Sequence, residues 1–224
     1  MKTFNCSIRF LVAVPLMGLL LCPQSRSQEP KAYFRAGGGV ALANDVDLKQ
    51  FFNEPVAGSK IKFDTGLDLD LAGGYQIMDW LGAELETGFI YNSVKSVTGT
   101  PDTDLSISQV PLLLNVVLRY PNKTQVVPYI GAGGGGALSL LSASNFKIGN
   151  TSVDGTESDF VSAYQGFAGV QYNFNARMSV GVSYKYLVTG ETEWKPDILL
   201  GTSGTVRVSG GQTQSLVALF RFSF

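Results

Sequence analysis

Two segments joined by a three-residue link decide the fold: LDLDLAGGYQI (67–77), MDW (78–80) and LGAELETGFIY (81–91). In the first, Leu67, Leu69, Leu71, Gly73, Tyr75 and Ile77 alternate with Asp68, Asp70, Ala72, Gly74 and Gln76. In the second, Leu81, Ala83, Leu85, Thr87, Phe89 and Tyr91 alternate with Gly82, Glu84, Glu86 and Gly88. A period of two sends successive side chains to opposite faces of a strand, so each segment has one apolar face and one carboxylate-bearing face. The link is short enough for a hairpin.

The same alternation recurs outward along the chain. Upstream, Phe34, Ala36, Gly38 and Val40 oppose Tyr33, Arg35 and Gly37 over about 32–42. Downstream, Val110, Leu112, Leu114, Val116, Leu118 and Tyr120 oppose Gln109, Asn115 and Arg119. A glycine-rich segment over 126–140 has no clear facing. In 160–174, Tyr164, Ala168, Val170 and Tyr172 oppose Gln165 and Gln171. Then Met178, Val180, Val182, Tyr184 and Tyr186 oppose Ser179, Gly181, Ser183 and Lys185. Last, Leu216, Ala218, Phe220, Phe222 and Phe224 oppose Val217, Leu219, Arg221 and Ser223. The count is eight strands, several beyond ten residues, longer than soluble strands usually run. About 9–11 tilted residues cross a hydrocarbon layer.

The connections sort by length. Short ones follow the second, fourth and sixth strands. Long ones cover about 43–64, 93–105, 141–159 and 189–212. Short turns on one side and long loops on the other predict an all-β, eight-stranded antiparallel up-and-down transmembrane barrel, with the long loops extracellular. The aromatic residues gather at the strand ends. One edge collects Phe34, Tyr75, Tyr120, Tyr129, Tyr172, Phe174, Phe222 and Phe224, and the other Phe89, Tyr91, Phe160, Tyr164, Tyr184 and Tyr186. Two aromatic belts around an aliphatic band fit a bilayer with two interfaces. A soluble barrel, with its apolar face turned inward, is the competing architecture.

The N-terminal segment reads as a secretory signal over 1–27, leaving 28–224 as the barrel domain. Lys2 and Arg9 precede an apolar run from Phe10 to Leu21, and Ser25 and Ser27 supply the small residues for cleavage before Gln28. The run is too short to anchor the chain as a helix. Cys22 opens a lipoprotein alternative, opposed by the bulky Leu21 where a small residue is required. Both cysteines, Cys6 and Cys22, lie in this segment, so no disulfide is expected in the mature chain. Removing Lys2, Arg9 and Arg26 leaves 14 basic against 18 acidic residues, a net charge of −4, and no nucleic-acid partner is expected.

Segments VPYIGAGGGGAL (127–138), AYQGFAGVQYNF (163–174), MSVGVSYKYL (178–187) and LVALFRFSF (216–224) resemble the eight-stranded outer-membrane barrels of the OmpA-transmembrane, OmpX, OmpW and opacity-protein type. The resemblance spans essentially the whole mature chain. It implies residence in the bacterial outer membrane, contact with outer-membrane lipids, delivery by the barrel-assembly machinery and a monomeric state. It also implies that Phe220, Phe222 and Phe224 form the C-terminal assembly signal. The peptidoglycan-binding role of OmpA's second domain is not expected to carry over.

On the inward face the sequence places Arg35, Asp68, Asp70, Glu84, Glu86, Arg119, Lys185 and Arg221, four acids and four bases. An eight-stranded barrel has an interior just wide enough for side chains. Buried charges persist only when paired, so these residues are expected to form an ion-pair network, with a gate or narrow ion path as the functional alternative. The expected arrangement sets Glu84 and Glu86 against Arg119, Arg221 and Arg35, and Asp68 and Asp70 against Lys185.

Catalysis is not expected. The chain has no histidine, the usual base of lipid-modifying barrel enzymes and a usual zinc ligand, and no cofactor or metal site is expected. Gly131, Gly133 and Gly136 match a dinucleotide fingerprint only trivially, without a following helix. The expected role is therefore structural, or a surface interaction through the extracellular loops with a partner the sequence does not identify. The alternative is a narrow pore or transporter for small solutes or hydrophobic molecules. Phe51-Phe52 in the first long loop, and Trp194 with Ile198-Leu199-Leu200 in the last, are apolar contact candidates or rim-packing residues.

Overall fold

The computed structural model describes residues 31–51, 54–55, 58–97, 100–101, 105–148, 151–194 and 205–224. The expected signal segment, Phe52 and 198–200 lie outside the described residues.

Eight long strands carry the fold: β1 (Ala32–Ala43), β2 (Gly66–Met78), β3 (Leu81–Val97), β4 (Leu105–Arg119), β5 (Val126–Ile148), β6 (Thr151–Asn173), β7 (Met178–Thr189) and β8 (Gln212–Ser223). Each pairs antiparallel with its sequence neighbours, and β8 returns to β1 from Tyr33↔Ser223 to Ala43↔Thr213, closing the cylinder. Closure leaves no unpaired edge, which a strand structure in lipid requires.

The alternation fixes the facing. Leu69, Leu71, Leu85, Leu112, Leu114, Ile130 and Val182 lie on the outer surface, while Asp68, Asp70, Glu84, Glu86, Asn115, Gln165 and Lys185 are buried inside. Polar residues inside and apolar residues outside invert the soluble barrel, so the competing architecture does not describe this chain.

The turns at one end are closed by side chains suited to the task. Asn122 Oδ1 accepts from the Thr124 N–H at 2.8 Å, and Asn175 Oδ1 accepts from the N–H groups of Arg177 and Met178 at 2.8 and 2.9 Å. Such Asx turns reverse the chain in few residues, which keeps this end short.

Tertiary structure changes four sequence expectations. First, 141–159 is not a loop: β5 and β6 run on as a hairpin, paired through Thr151↔Ile148. Its serines, threonines and glycines carry no periodic apolar signal, because both faces stand beyond the bilayer. Second, β3 runs on to Val97 through the expected loop start at 93. Third, Tyr129 is not in an aromatic belt. It faces the lumen, 8% exposed, edge-on to Phe167 with ring centroids 6.3 Å apart. Neighbouring glycines on both faces of β5 hid its facing.

Fourth, the first and last long loops contain strands. Val46–Phe51 pairs with Lys60–Phe63, Glu54–Pro55 and Val206–Val208, and Val206–Val208 pairs with Thr192–Trp194. Lys60–Phe63 also pairs with the outer end of β3. These segments are too short for their period to show in sequence. The pairing of Val46–Phe51 with Val206–Val208 joins residues more than a hundred positions apart.

Two interior positions show why glycines are needed in the wall. Gly74 lies directly across from Tyr33, and Gly131 from Phe167. A Cβ at either glycine would overlap the facing ring. The missing side chains let the two rings lie against the wall of a narrow lumen. Gly74→Val is expected to displace Tyr33 and cost about 1–3 kcal/mol by overpacking. The check is the urea midpoint of the refolded barrel in detergent; an unchanged midpoint would show that Tyr33 has another seat.

Candidate functional site: the lumen and its two ends

Midway along the lumen, Glu86 collects four donors. Arg35 Nη2 and Gln165 Nε2 each donate to its Oε2 at 2.9 Å, Asn115 Nδ2 donates to the same oxygen at 2.8 Å, and Lys185 Nζ donates to Oε1 at 2.7 Å. Lys185 bridges onward to Asp70 at 3.1 Å and lies 3.9 Å from Asp68. Arg35 also reaches Glu84 at 3.0 Å, and Glu84 lies 3.4 Å from Arg119. The Tyr33 hydroxyl donates to Glu84 Oε1 at 2.7 Å and accepts from Arg119 Nη2 at 3.0 Å. The network thus joins Arg35, Asp68, Asp70, Glu84, Glu86, Arg119 and Lys185 in one connected set. Shared donors compensate the desolvation that burial imposes on each carboxylate.

Arg221 stands outside this set. Among the described residues it has no carboxylate within ion-pair distance, although the sequence reading set it against Glu84 and Glu86. Its guanidinium lies over the Tyr33 ring at 3.8 Å, with Arg119 at 5.0 Å from the same centroid. The reason is register: Arg35 and Arg221 are cross-strand partners, and Arg35 takes both glutamates.

The network fills the tube. In its lower half the void bordered by Arg35, Glu84, Arg119 and Arg221 holds about 10 Å³. That is at the limit for one water molecule. Two small apolar clusters share the lumen with the charges and with buried polar residues such as Asn92, Gln109, Ser139 and Gln171. Ala41, Ile90, Leu113, Ala137, Val161, Ala163 and Leu187 form one, and Val117, Tyr129, Phe167, Val217 and Leu219 the other, with Val217 and Leu219 on the wall beside Asp70.

Beyond the barrel rim a second core forms. Val46, Leu48, Ile61, Val94, Ile107, Trp194, Val206 and Val208 are buried together, with Phe63, Leu105 and Leu141 against them. Trp194 is 1% exposed, and its indole N–H donates to the Ser139 carbonyl at 3.3 Å. The Glu193 N–H donates to Asp159 Oδ2 at 2.8 Å, tying the last loop to β6. Arg207 pairs with Glu193, and Lys49 with Glu191. The long loops are therefore a folded cap over the extracellular mouth. Trp194 belongs to its core, so the rim-packing alternative describes it. The signal available in sequence was a tryptophan at the end of a three-residue segment, Thr192–Trp194, too short to assign.

The Lys49 hydrogen bond and charge hold the exposed Glu191 carboxyl below its ordinary value. A depressed acid contributes above its unfolded pKa, about 4.3, and loses the contribution as pH falls through the folded value. Protease resistance of the cap is therefore expected to stay level from pH 7 to about 5 and to weaken only below about 4. A fall already near pH 6 would place the controlling group elsewhere.

A closed eight-stranded cylinder with an apolar outside, a charged inside, short turns at one end and long chain at the other is a bacterial outer-membrane β-barrel. The sequence matches the family described as outer membrane protein beta-barrel domain over residues 12–209, and the chain belongs to that family. It resides in the bacterial outer membrane.

Among solved structures it is similar to OprG of Pseudomonas aeruginosa, at 18% identity over 88% of this chain and 98% of that one, with a TM-score of 0.57. Neisserial surface protein A aligns at 16% identity over 86% and 97%, TM-score 0.54. AlkL, solved in lipid bilayers, aligns at 16% over 91% and 96%, TM-score 0.53. At these identities the likeness concerns the fold. No curated protein matches the sequence.

Proposed function

We propose that this protein is a closed barrel serving as a membrane scaffold for its extracellular cap, with a structural or surface-interaction role carried by the cap and the β5–β6 hairpin. The observation that carries this reading is the double obstruction of the lumen, by the ion-pair network in the middle and by the hydrophobic core across the outer mouth. A rigid scaffold presenting ordered segments outside the bilayer suits recognition. The reading includes a monomer in contact with outer-membrane lipids, assembled through the barrel-assembly machinery by way of the outward-facing Phe220, Phe222 and Phe224. It excludes enzymatic activity, for which a chain without histidine lacks the usual base.

A second reading, a conduit for small hydrophobic molecules, draws on the apolar cluster around Ile90 and Leu113 within the lumen. The ion-pair network beside that cluster opposes it. Planar-bilayer recording separates the two. The scaffold reading expects no channel events from the wild-type barrel, and none after removal of cap residues 192–208 if the network alone seals the tube. Steady conductance in the intact protein overturns it.

A further inference from the structure

Arg221 poses a problem that the barrel itself does not solve. Like charges directly opposite each other on neighbouring strands are unfavourable, and Arg35 and Arg221 are such a pair. Arg35 is compensated by Glu84 and Glu86, whereas Arg221 has no acidic partner among the described residues and its Nε is buried without an acceptor. A charge retained in a membrane barrel at a net cost points to use by something outside the network.

The side chain also sits at a boundary. It borders the small lumenal void and, on the other side, a basin of about 830 Å³ at the periplasmic end. Five bases, Lys31, Arg119, Lys123, Arg177 and Arg221, line this basin, against one acid, Asp79. Only Arg119 of the five is in an ion pair within the described residues. The lumen is therefore electrically lopsided. Three carboxylates surround Lys185 toward the outside, and an unneutralised guanidinium faces the periplasm.

We infer that the periplasmic basin binds an oxyanion, a phosphate or phosphate ester, with Arg221 at its floor and Lys31, Lys123 and Arg177 at its rim. A guanidinium presents several N–H donors in a plane that suits phosphate oxygens, and the rim ammonium and guanidinium groups add attraction at longer range. The cation–π contact with Tyr33 holds the guanidinium in place before the anion arrives. The oxyanion supplies the acceptor and the negative charge that the chain withholds.

The test uses the mature barrel refolded in neutral detergent, titrated calorimetrically with sodium pyrophosphate at constant ionic strength. Saturable binding with a Kd of about 1 mM or tighter is expected. Arg221→Gln should weaken it at least about tenfold while keeping the boiling-dependent gel shift of a folded barrel. That variant should also hold or raise the urea midpoint, in contrast to Arg35→Gln, which removes a cation shared by two glutamates. The rim pair Lys123→Ala/Arg177→Ala, in solvent-exposed turns, should weaken binding about threefold or more and guards against a folding failure of the lumenal variant.

Absence of saturable binding to the wild-type protein, or equal affinity in the rim variant and the wild type, overturns the inference. Repeating the titration in nanodiscs identifies the source. Affinity unchanged by phosphatidylglycerol assigns the site to a soluble periplasmic anion, and competition by that lipid assigns it to a headgroup phosphate.

Discussion

Lys185→Met is expected to lower the stability of the refolded barrel by about 3–5 kcal/mol, the range for breaking a buried ion pair by removing one partner. Lys185 Nζ lies 2.7 Å from Glu86 and 3.1 Å from Asp70, with Asp68 at 3.9 Å. Methionine replaces the methylene stem and leaves three carboxylates without their shared cation. Glu86 retains donors from Arg35, Asn115 and Gln165, so the stranded charge falls mainly on the two aspartates. Adding Asp70→Asn to Lys185→Met should therefore recover part of the loss, and the double-mutant cycle should show coupling above about 1 kcal/mol. Equilibrium urea unfolding in micelles or liposomes measures both. A loss below about 1 kcal/mol for Lys185→Met would mean that water or a shifted proton already neutralises the aspartates.

Trp194→Ala addresses the other end of the molecule. Truncation of a large buried aromatic costs about 3–5 kcal/mol, and here the cost falls on the cap. Trp194 is 1% exposed at the centre of the outer core and ties that core to β5 through the Ser139 carbonyl. Cap and barrel have separate apolar cores, so the cap is expected to open locally while the cylinder persists. Trypsin should then cut at Lys60, Lys62 or Arg207, residues that the intact cap holds in paired strands. The gel shift on boiling and the urea midpoint of the barrel should hardly move. Loss of the gel shift together with trypsin resistance would show instead that cap and barrel fold as one unit.

Taken together, the two substitutions ask whether the seals act independently. If they do, the scaffold reading allows the cap to be reshaped for binding without loss of the closed lumen. The charge network then has the simpler task of filling a tube too narrow to stay empty.

How much of this was legible in the chain depends on the range of the forces involved. The alternation in 67–91 determined strands, facing and a membrane environment, because a period of two is local and every inward or outward position repeats the same choice. The split between short turns and long loops determined the topology and which end faces outward. The identity of the lumenal charges followed as well, since any charged residue in phase with Asp68 or Glu84 had to point inward.

Which charge meets which did not follow. That depends on the stagger between strands, and the pairing of Arg35 with Arg221 across the β1–β8 closure joins residues at opposite ends of the sequence. For the same reason Arg221 was legible as a lumenal base but not as one without a partner. The cap was also beyond reach. Its strands are two to six residues long, and Val46, Ile61, Trp194 and Val206 become a core only after the cylinder has brought both loops to one rim. The sequence by itself determined the barrel, whose pattern is written locally and repeated eight times. Only the tertiary structure decided how the charges pair and how the mouth is closed, because both depend on contacts made once, between distant segments, after closure of the sheet.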